Sequence, residues 1–103
     1  MYAALKSVDS KGNVVEEFQY ETTEGVISKE TSENMKYMLE KVVSEGGGSK
    51  AIVKGYEVGG KTATSEKLPR GNGKYISSFI GFAPVENPQV IAICIIDEPT
   101  GIY

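Results

Sequence analysis

Seven consecutive residues near the end of the chain, Val90-Ile91-Ala92-Ile93-Cys94-Ile95-Ile96, carry no polar side chain. A run of this length bounded by turn residues reads as a strand buried on both faces, central in its sheet. Such a strand needs a covering layer on each side. One layer is available upstream. Met35, Met38, Leu39, Val42 and Val43 recur at spacings of three and four, which makes one apolar face of a helix over about residues 29–45. Ser28 is placed to cap it, Glu30 lies in the first turn where the helix dipole favours an acid, and Gly46-Gly47-Gly48 ends it. Downstream, Gly101-Ile102-Tyr103 offers no second layer. The 103 residues are therefore expected to form one partial domain, 1–103, cut from a larger one.

Two further strands are expected, over about 56–65 and 74–83, before the apolar one at about 89–97. Turn chemistry separates them: Pro69 and Gly71-Asn72-Gly73 in the first connection, Pro84 to Pro88 in the second. The short second connection favours an antiparallel hairpin. Apolar stretches at 2–8 and 14–18 flank Asp9-Ser10-Lys11-Gly12-Asn13, a second hairpin. The order hairpin, helix, three strands predicts an α+β fold, an antiparallel sheet with one helix over one face. Smaller expectations follow. Cys94 reads as a small buried hydrophobe, and Tyr75 and Phe79 as core residues sharing a sheet face. Asp97-Glu98-Pro99 reads as a strand end that either stops the ladder or faces a cleft. Lys67, Arg70 and Lys74 read as solvated loop charges or as groups that steer a ligand.

Composition removes several chemistries. There is no histidine and one cysteine, Cys94, so Ser-His-Asp triads, Cys-His pairs, internal disulfides and cysteine-built zinc sites are excluded. No metal and no cofactor is expected. No segment approaches the roughly 20 apolar residues of a membrane span, and residues 1–6 lack the pattern of a signal peptide. The net charge of −3 is too mild to suggest nucleic acid. Its distribution is uneven. Lys54, Lys61, Lys67, Arg70 and Lys74 face only Glu57 and Glu66 between positions 54 and 74. That local basic excess suits either an anionic ligand such as a carboxylate or a solvated loop.

Lys61 belongs to two competing motifs. Gly55-Tyr56-Glu57-Val58-Gly59-Gly60-Lys61-Thr62 spells the phosphate-loop pattern, and the apolar run before Asp97-Glu98 imitates the strand and acidic pair that hold magnesium. That chemistry needs a helix directly after the loop, because helix N-terminal amides hold the phosphates. Ala63 to Gly73 contains one large aliphatic residue, Leu68, with a proline and two glycines, and cannot supply one. The other motif is Gly59-Gly60-Lys61-Thr62-Ala63-Thr64-Ser65-Glu66, which resembles the K-T-G strand of penicillin-binding transpeptidases. Val26-Ile27-Ser28-Lys29-Glu30-Thr31, Val42-Val43-Ser44-Glu45-Gly46, the run from Gly73 to Pro84 and Ile95-Ile96-Asp97-Glu98-Pro99 resemble the same family in order and spacing. The resemblance covers the whole chain, most weakly before Val26. It is closest to the C-terminal part of the class B transpeptidase domain, within the penicillin-binding and β-lactamase-like fold.

The resemblance implies a three-motif active site, in which S-x-x-K supplies the nucleophile, S-x-N a polar pair and K-T-G the strand beside them. It implies that Lys61 organises charge, that the Thr62 hydroxyl binds the carboxylate of substrate or β-lactam, and that Thr64 lends main chain to a substrate added as a strand. Ala63 stands where the family has glycine, so its methyl either narrows the cleft or points harmlessly away. None of the nine serines is followed three residues later by lysine. Ser32-Glu33-Asn34 does spell S-x-N, but it falls in the first turn of the helix and in the wrong chain order. The expectation is an inactive fragment of a peptidoglycan D,D-transpeptidase. Its implied partners are the stem peptide, β-lactams and the rest of the domain. The parent would be anchored in the cytoplasmic membrane with this domain outside. A β-lactam sensor, a β-lactamase-like relative and a non-catalytic small binding module stay open at this stage. An exposed apolar strand face also offers a route to a homo-dimer.

Overall fold

The structure is a computed structural model, and it describes residues 5–101. Helix α1 spans Lys29–Ser44. Ser28 caps it as expected. Its backbone is extended and its Oγ accepts from the Thr31 N–H at 3.1 Å, which satisfies one of the free amides of the first turn. Glu45 ends the helix by donating its N–H to the Lys41 carbonyl, and the Lys41 ammonium pairs with the Glu45 carboxylate at 2.8 Å. The apolar stripe is unevenly covered. Val43 is 3% exposed, while Met35 and Met38 remain open.

Strands β1 (Lys6–Val8) and β2 (Val14–Glu17) form an antiparallel hairpin. Its turn is built by Asp9, whose Oδ1 accepts from the N–H of both Lys11 and Asn13 at 2.9 Å, with Gly12 at φ 83°. Residues 2–4 of the expected first strand lie outside the described residues. After α1, a 3-10 turn at Ser49–Ala51 leads into β3 (Gly59–Glu66), β4 (Tyr75–Ala83) and β5 (Val90–Asp97). These form one antiparallel sheet in the order β3-β4-β5, with α1 packed against β3.

Two close approaches explain the paired glycines at the start of β3. A Cβ on Gly60 would lie 2.5 Å from both the Ile80 carbonyl oxygen and Cζ of Phe79. A Cβ on Gly59 would meet the Phe82 ring at 2.6 Å. Two aromatic rings thus lie over bare backbone, which only glycine permits.

The expectation that residues 90–96 form a central strand is corrected. Among the described residues the central strand is β4; β5 is paired on one side only, and every residue from Val90 to Asp97 is exposed. Cys94 is exposed as well, not buried. Hydrophobic patterning records which side chains shun water, but it does not supply the atoms that cover them. Here the cover is absent on both faces of β5 among the described residues. The surface area agrees. The chain exposes 8539 Å², whereas a self-contained fold of 11.1 kDa exposes about 5,700 Å². Its radius of gyration is 17.4 Å, against about 13 Å for a compact chain of 100 residues. Val43 and Val85 are the buried apolar residues among those described.

Candidate functional site

Lys61 and Thr62 lie in the middle of a strand, not at the start of a helix. β3 runs without a break from Gly59 to Glu66, which removes the phosphate-loop reading. Lys61, Thr62, Ala63 and Thr64 are all exposed, and β3 is an edge of its sheet. What that edge presents follows from the ladder. Glu66 stands opposite Tyr75 and Lys61 opposite Ile80, and the Lys67 N–H extends the register by donating to the Lys74 carbonyl at 2.8 Å. Antiparallel strands alternate bonded and non-bonded pairs. Lys61, Ala63 and Ser65 therefore bond inward to β4, whereas Thr62 and Thr64 turn their N–H and C=O outward to the open edge.

The lysine head confirms where the Thr62 carbonyl points. The Lys61 Nζ donates to the Thr62 carbonyl oxygen at 3.0 Å and to its Oγ1 at 3.4 Å. Lys61 and Thr62 leave the strand on opposite faces, so the ammonium curls around the edge to reach them. The result is a cation, a hydroxyl and two outward peptide groups along one open margin. Ala63 projects to the face opposite Thr62 and Thr64. The margin is an open sheet edge. A groove of about 400 Å³ lies between α1 and the sheet, lined by Ile27, Met35, Leu39, Phe82 and Ile91. A second, of about 280 Å³, is lined by Val53, Val58, Phe79, Ala83 and Ala92. Neither includes residues 61–64.

One feature of this region escapes a reading along the chain. Lys67 is no free loop charge: its Nζ pairs with Asp97 at 2.9 Å and Glu98 at 3.0 Å, and Lys74 reaches Glu98 at 3.5 Å. The bases and acids were visible in the sequence. The register that sets residue 98 against Tyr75 is what brings them together. Within the loop, Glu66 accepts from the Gly71 N–H and Asn72 from the Lys74 N–H, so the segment after the candidate site is ordered at both ends. Lys67, then Lys74, hold the Glu98 carboxyl below the usual carboxylate range; Asp97, then Glu98, hold the Lys67 amine above the usual lysine range. A lowered carboxylate contributes stability above its ordinary pKa and loses it as pH falls through the lowered value. A raised lysine contributes below its ordinary pKa and loses it as pH rises through the raised value. The clasp is thus expected to hold loop 67–74 through neutral pH and to release it in acid and in strong alkali. The protection factor of the Lys74 N–H, whose acceptor Asn72 does not titrate, measured against pH checks this. In the Lys67→Met variant the acid-dependent loss of protection should disappear, and its persistence would assign that loss elsewhere.

Ser32-Glu33-Asn34 sits in the first turns of α1, and Glu33 pairs with Lys36 at 2.9 Å, so this sequence is helix surface. Among the described residues no cluster of His, Cys, Asp or Glu could hold a metal, and no helix is long and apolar enough to cross a membrane.

Residues 2–103 match the family model described as penicillin binding protein transpeptidase domain. The chain is 48% identical over 79 residues to stage V sporulation protein D of Bacillus subtilis (strain 168), covering 74% of this chain and 12% of that protein. It is 42% identical over 79 residues to the probable peptidoglycan D,D-transpeptidase PenA of Neisseria flavescens, covering 73% of this chain and 20% of that protein. Its fold is similar to the transpeptidase domain of penicillin-binding protein 3 from Burkholderia pseudomallei, with TM-score 0.68 and 38% identity over 91% of this chain and 28% of that chain. The chain thus spans about an eighth to a fifth of the length of these two curated relatives.

Proposed function

We propose that this chain, which belongs to the penicillin-binding protein transpeptidase family and resembles its class B members, supplies the strand that binds the carboxylate end of a peptidoglycan stem peptide or a β-lactam. The observation that carries this reading is the outward-facing main chain of Thr62 and Thr64 with the Lys61 ammonium beside it. A peptide ending in a carboxylate adds to the edge as a further antiparallel strand, its backbone pairing with Thr62 and Thr64. Its terminal charge displaces the Lys61 Nζ from the Thr62 carbonyl and takes the ammonium and the Thr62 hydroxyl as donors. The Ala63 methyl lies on the other face and leaves the margin clear. In the intact parent, a serine acylated by the penultimate D-alanine would pass the acyl group to a neighbouring amine, outside the cytoplasmic membrane in which the parent is anchored.

The chain itself holds no S-x-x-K, and a serine needs a base within hydrogen-bond reach to attack a carbonyl. Incubated with benzylpenicillin, it is expected to keep its mass unchanged by intact-mass spectrometry; one added penicilloyl group on any serine would contradict that. Binding is tested by calorimetry with a peptide ending in D-Ala-D-Ala. The free acid should bind, while the C-terminal amide and the Lys61→Ala variant should each lose about tenfold or more, the scale of one charge-assisted contact. Equal binding of acid and amide would overturn the carboxylate reading.

A further inference from the structure

The strand proposed to take the ligand is held differently at its two ends. At its start the Phe79 and Phe82 rings lie over Gly60 and Gly59, both buried. From Lys61 to Ser65 every residue is exposed. Just past its far end stands Lys67, three positions beyond Thr64 and half-buried. Its main chain closes the last rung to β4, the N–H donating to the Lys74 carbonyl at 2.8 Å. Its Nζ reaches across β4 and donates to Asp97 Oδ1 at 2.9 Å and to Glu98 Oε1 at 3.0 Å, at the end of β5. Glu98 in turn donates its N–H to the Tyr75 carbonyl at 2.9 Å. One residue thus joins the ends of all three strands.

Resting on the reading of β3 as the ligand-binding edge, we propose that Lys67 is a positioning residue for that edge, fixing the outward peptide of Thr64 where a bound chain must meet it. The parity of the ladder explains why a residue three places away matters. Lys61, Ala63, Ser65 and Lys67 are its inward rungs, and Thr62 and Thr64 face outward only while the rungs beside them stay closed. The end rungs of an exposed ladder open most readily. Opening at Lys67 and then at Ser65 frees the Thr64 peptide to turn, whereas Thr62, between Lys61 and Ala63, keeps its direction. Pairing with both threonines sets the last residue of the ligand opposite Thr62 and the third from its end opposite Thr64. Lys67 therefore governs the ligand's upstream main chain and not its terminal carboxylate, which meets Lys61. The effect falls on geometry more than on folding. Exposed ion pairs add little to global stability, whereas an edge already in place spares the ligand the entropy of ordering it.

Calorimetry of the full chain with an acetylated tripeptide ending in D-Ala-D-Ala tests this role. Lys67→Met should bind about fivefold or more weakly, and Lys67→Arg, which can hold both acids, should stay within about twofold of wild type. Asp97→Asn combined with Glu98→Gln keeps the lysine, removes its partners' charges and should reproduce the loss. Far-ultraviolet dichroism should be unchanged in all three, and Lys67→Met should still prefer the free acid to the C-terminal amide. A double-mutant cycle separates positioning from general loosening. In a Thr64→Pro background Lys67→Met should weaken binding no further, because the contact it positions is already gone; in a Lys61→Ala background the full loss should return. A loss that adds fully on Thr64→Pro, or a Lys67→Met chain that binds like a binding-competent wild type, overturns the role of Lys67 alone. A wild-type chain that binds neither acid nor amide overturns the edge reading and this role together.

Discussion

Gly60→Ala should unseat β3 from β4. The new methyl would lie 2.5 Å from the Ile80 carbonyl oxygen, and that oxygen belongs to the ladder the methyl would have to displace. The Phe79 ring, at the same distance, could rotate away, but the peptide cannot. Overpacking of this kind costs about 1–3 kcal/mol, a large part of any margin in a chain with so little buried apolar surface. Amide exchange of residues 59–66 should rise together, with a lower urea midpoint. Gly47→Ala is the control, because a Cβ there meets nothing within 4 Å. Equal exchange in the two variants would mean that the β3–β4 contact is looser than described.

Thr64→Pro should separate folding from binding. The Thr64 N–H points to the open edge, so its loss leaves the inward bonds of Ala63 and Ser65 to β4 in place, and proline is tolerated on an edge strand in that orientation. Peptide pairing along the margin loses a donor and meets the proline ring. Affinity for a D-Ala-D-Ala peptide should fall about tenfold or more, with dichroism unchanged. Retained affinity would show that the ligand does not use this main chain.

Much of this architecture was legible from local chemistry. Ser28, the three- and four-residue spacing through Val43, and Gly46 to Gly48 define α1 to within a residue. The turn residues at 9–13 and 69–73 separate the strands. The resemblance of Gly59-Gly60-Lys61-Thr62-Ala63-Thr64-Ser65-Glu66 and its neighbouring blocks to the family's motifs pointed to the family that the comparisons then bore out. Three features were not legible, each for a physical reason. Whether β5 lies centrally or at an edge depends on what sits beside it, which an apolar run does not encode. Cys94 inherits the same ambiguity. The Lys67, Asp97 and Glu98 clasp joins residues thirty positions apart and exists only once β4 sets the register between β3 and β5. The direction of the Thr62 and Thr64 peptide groups likewise follows from ladder parity, not from residue type.

In the proposed function the open β3 edge receives the ligand, along Thr62 and Thr64. An amide-resolved NMR titration of the 103-residue chain with an acetylated peptide ending in D-Ala-D-Ala tests it directly. Saturable shifts are expected for the Thr62 and Thr64 N–H signals, larger than those of Lys61 and Ala63, which are bonded inward. Shifts confined to the groove of Met35, Leu39 and Ile91, or no shifts at all, would contradict it.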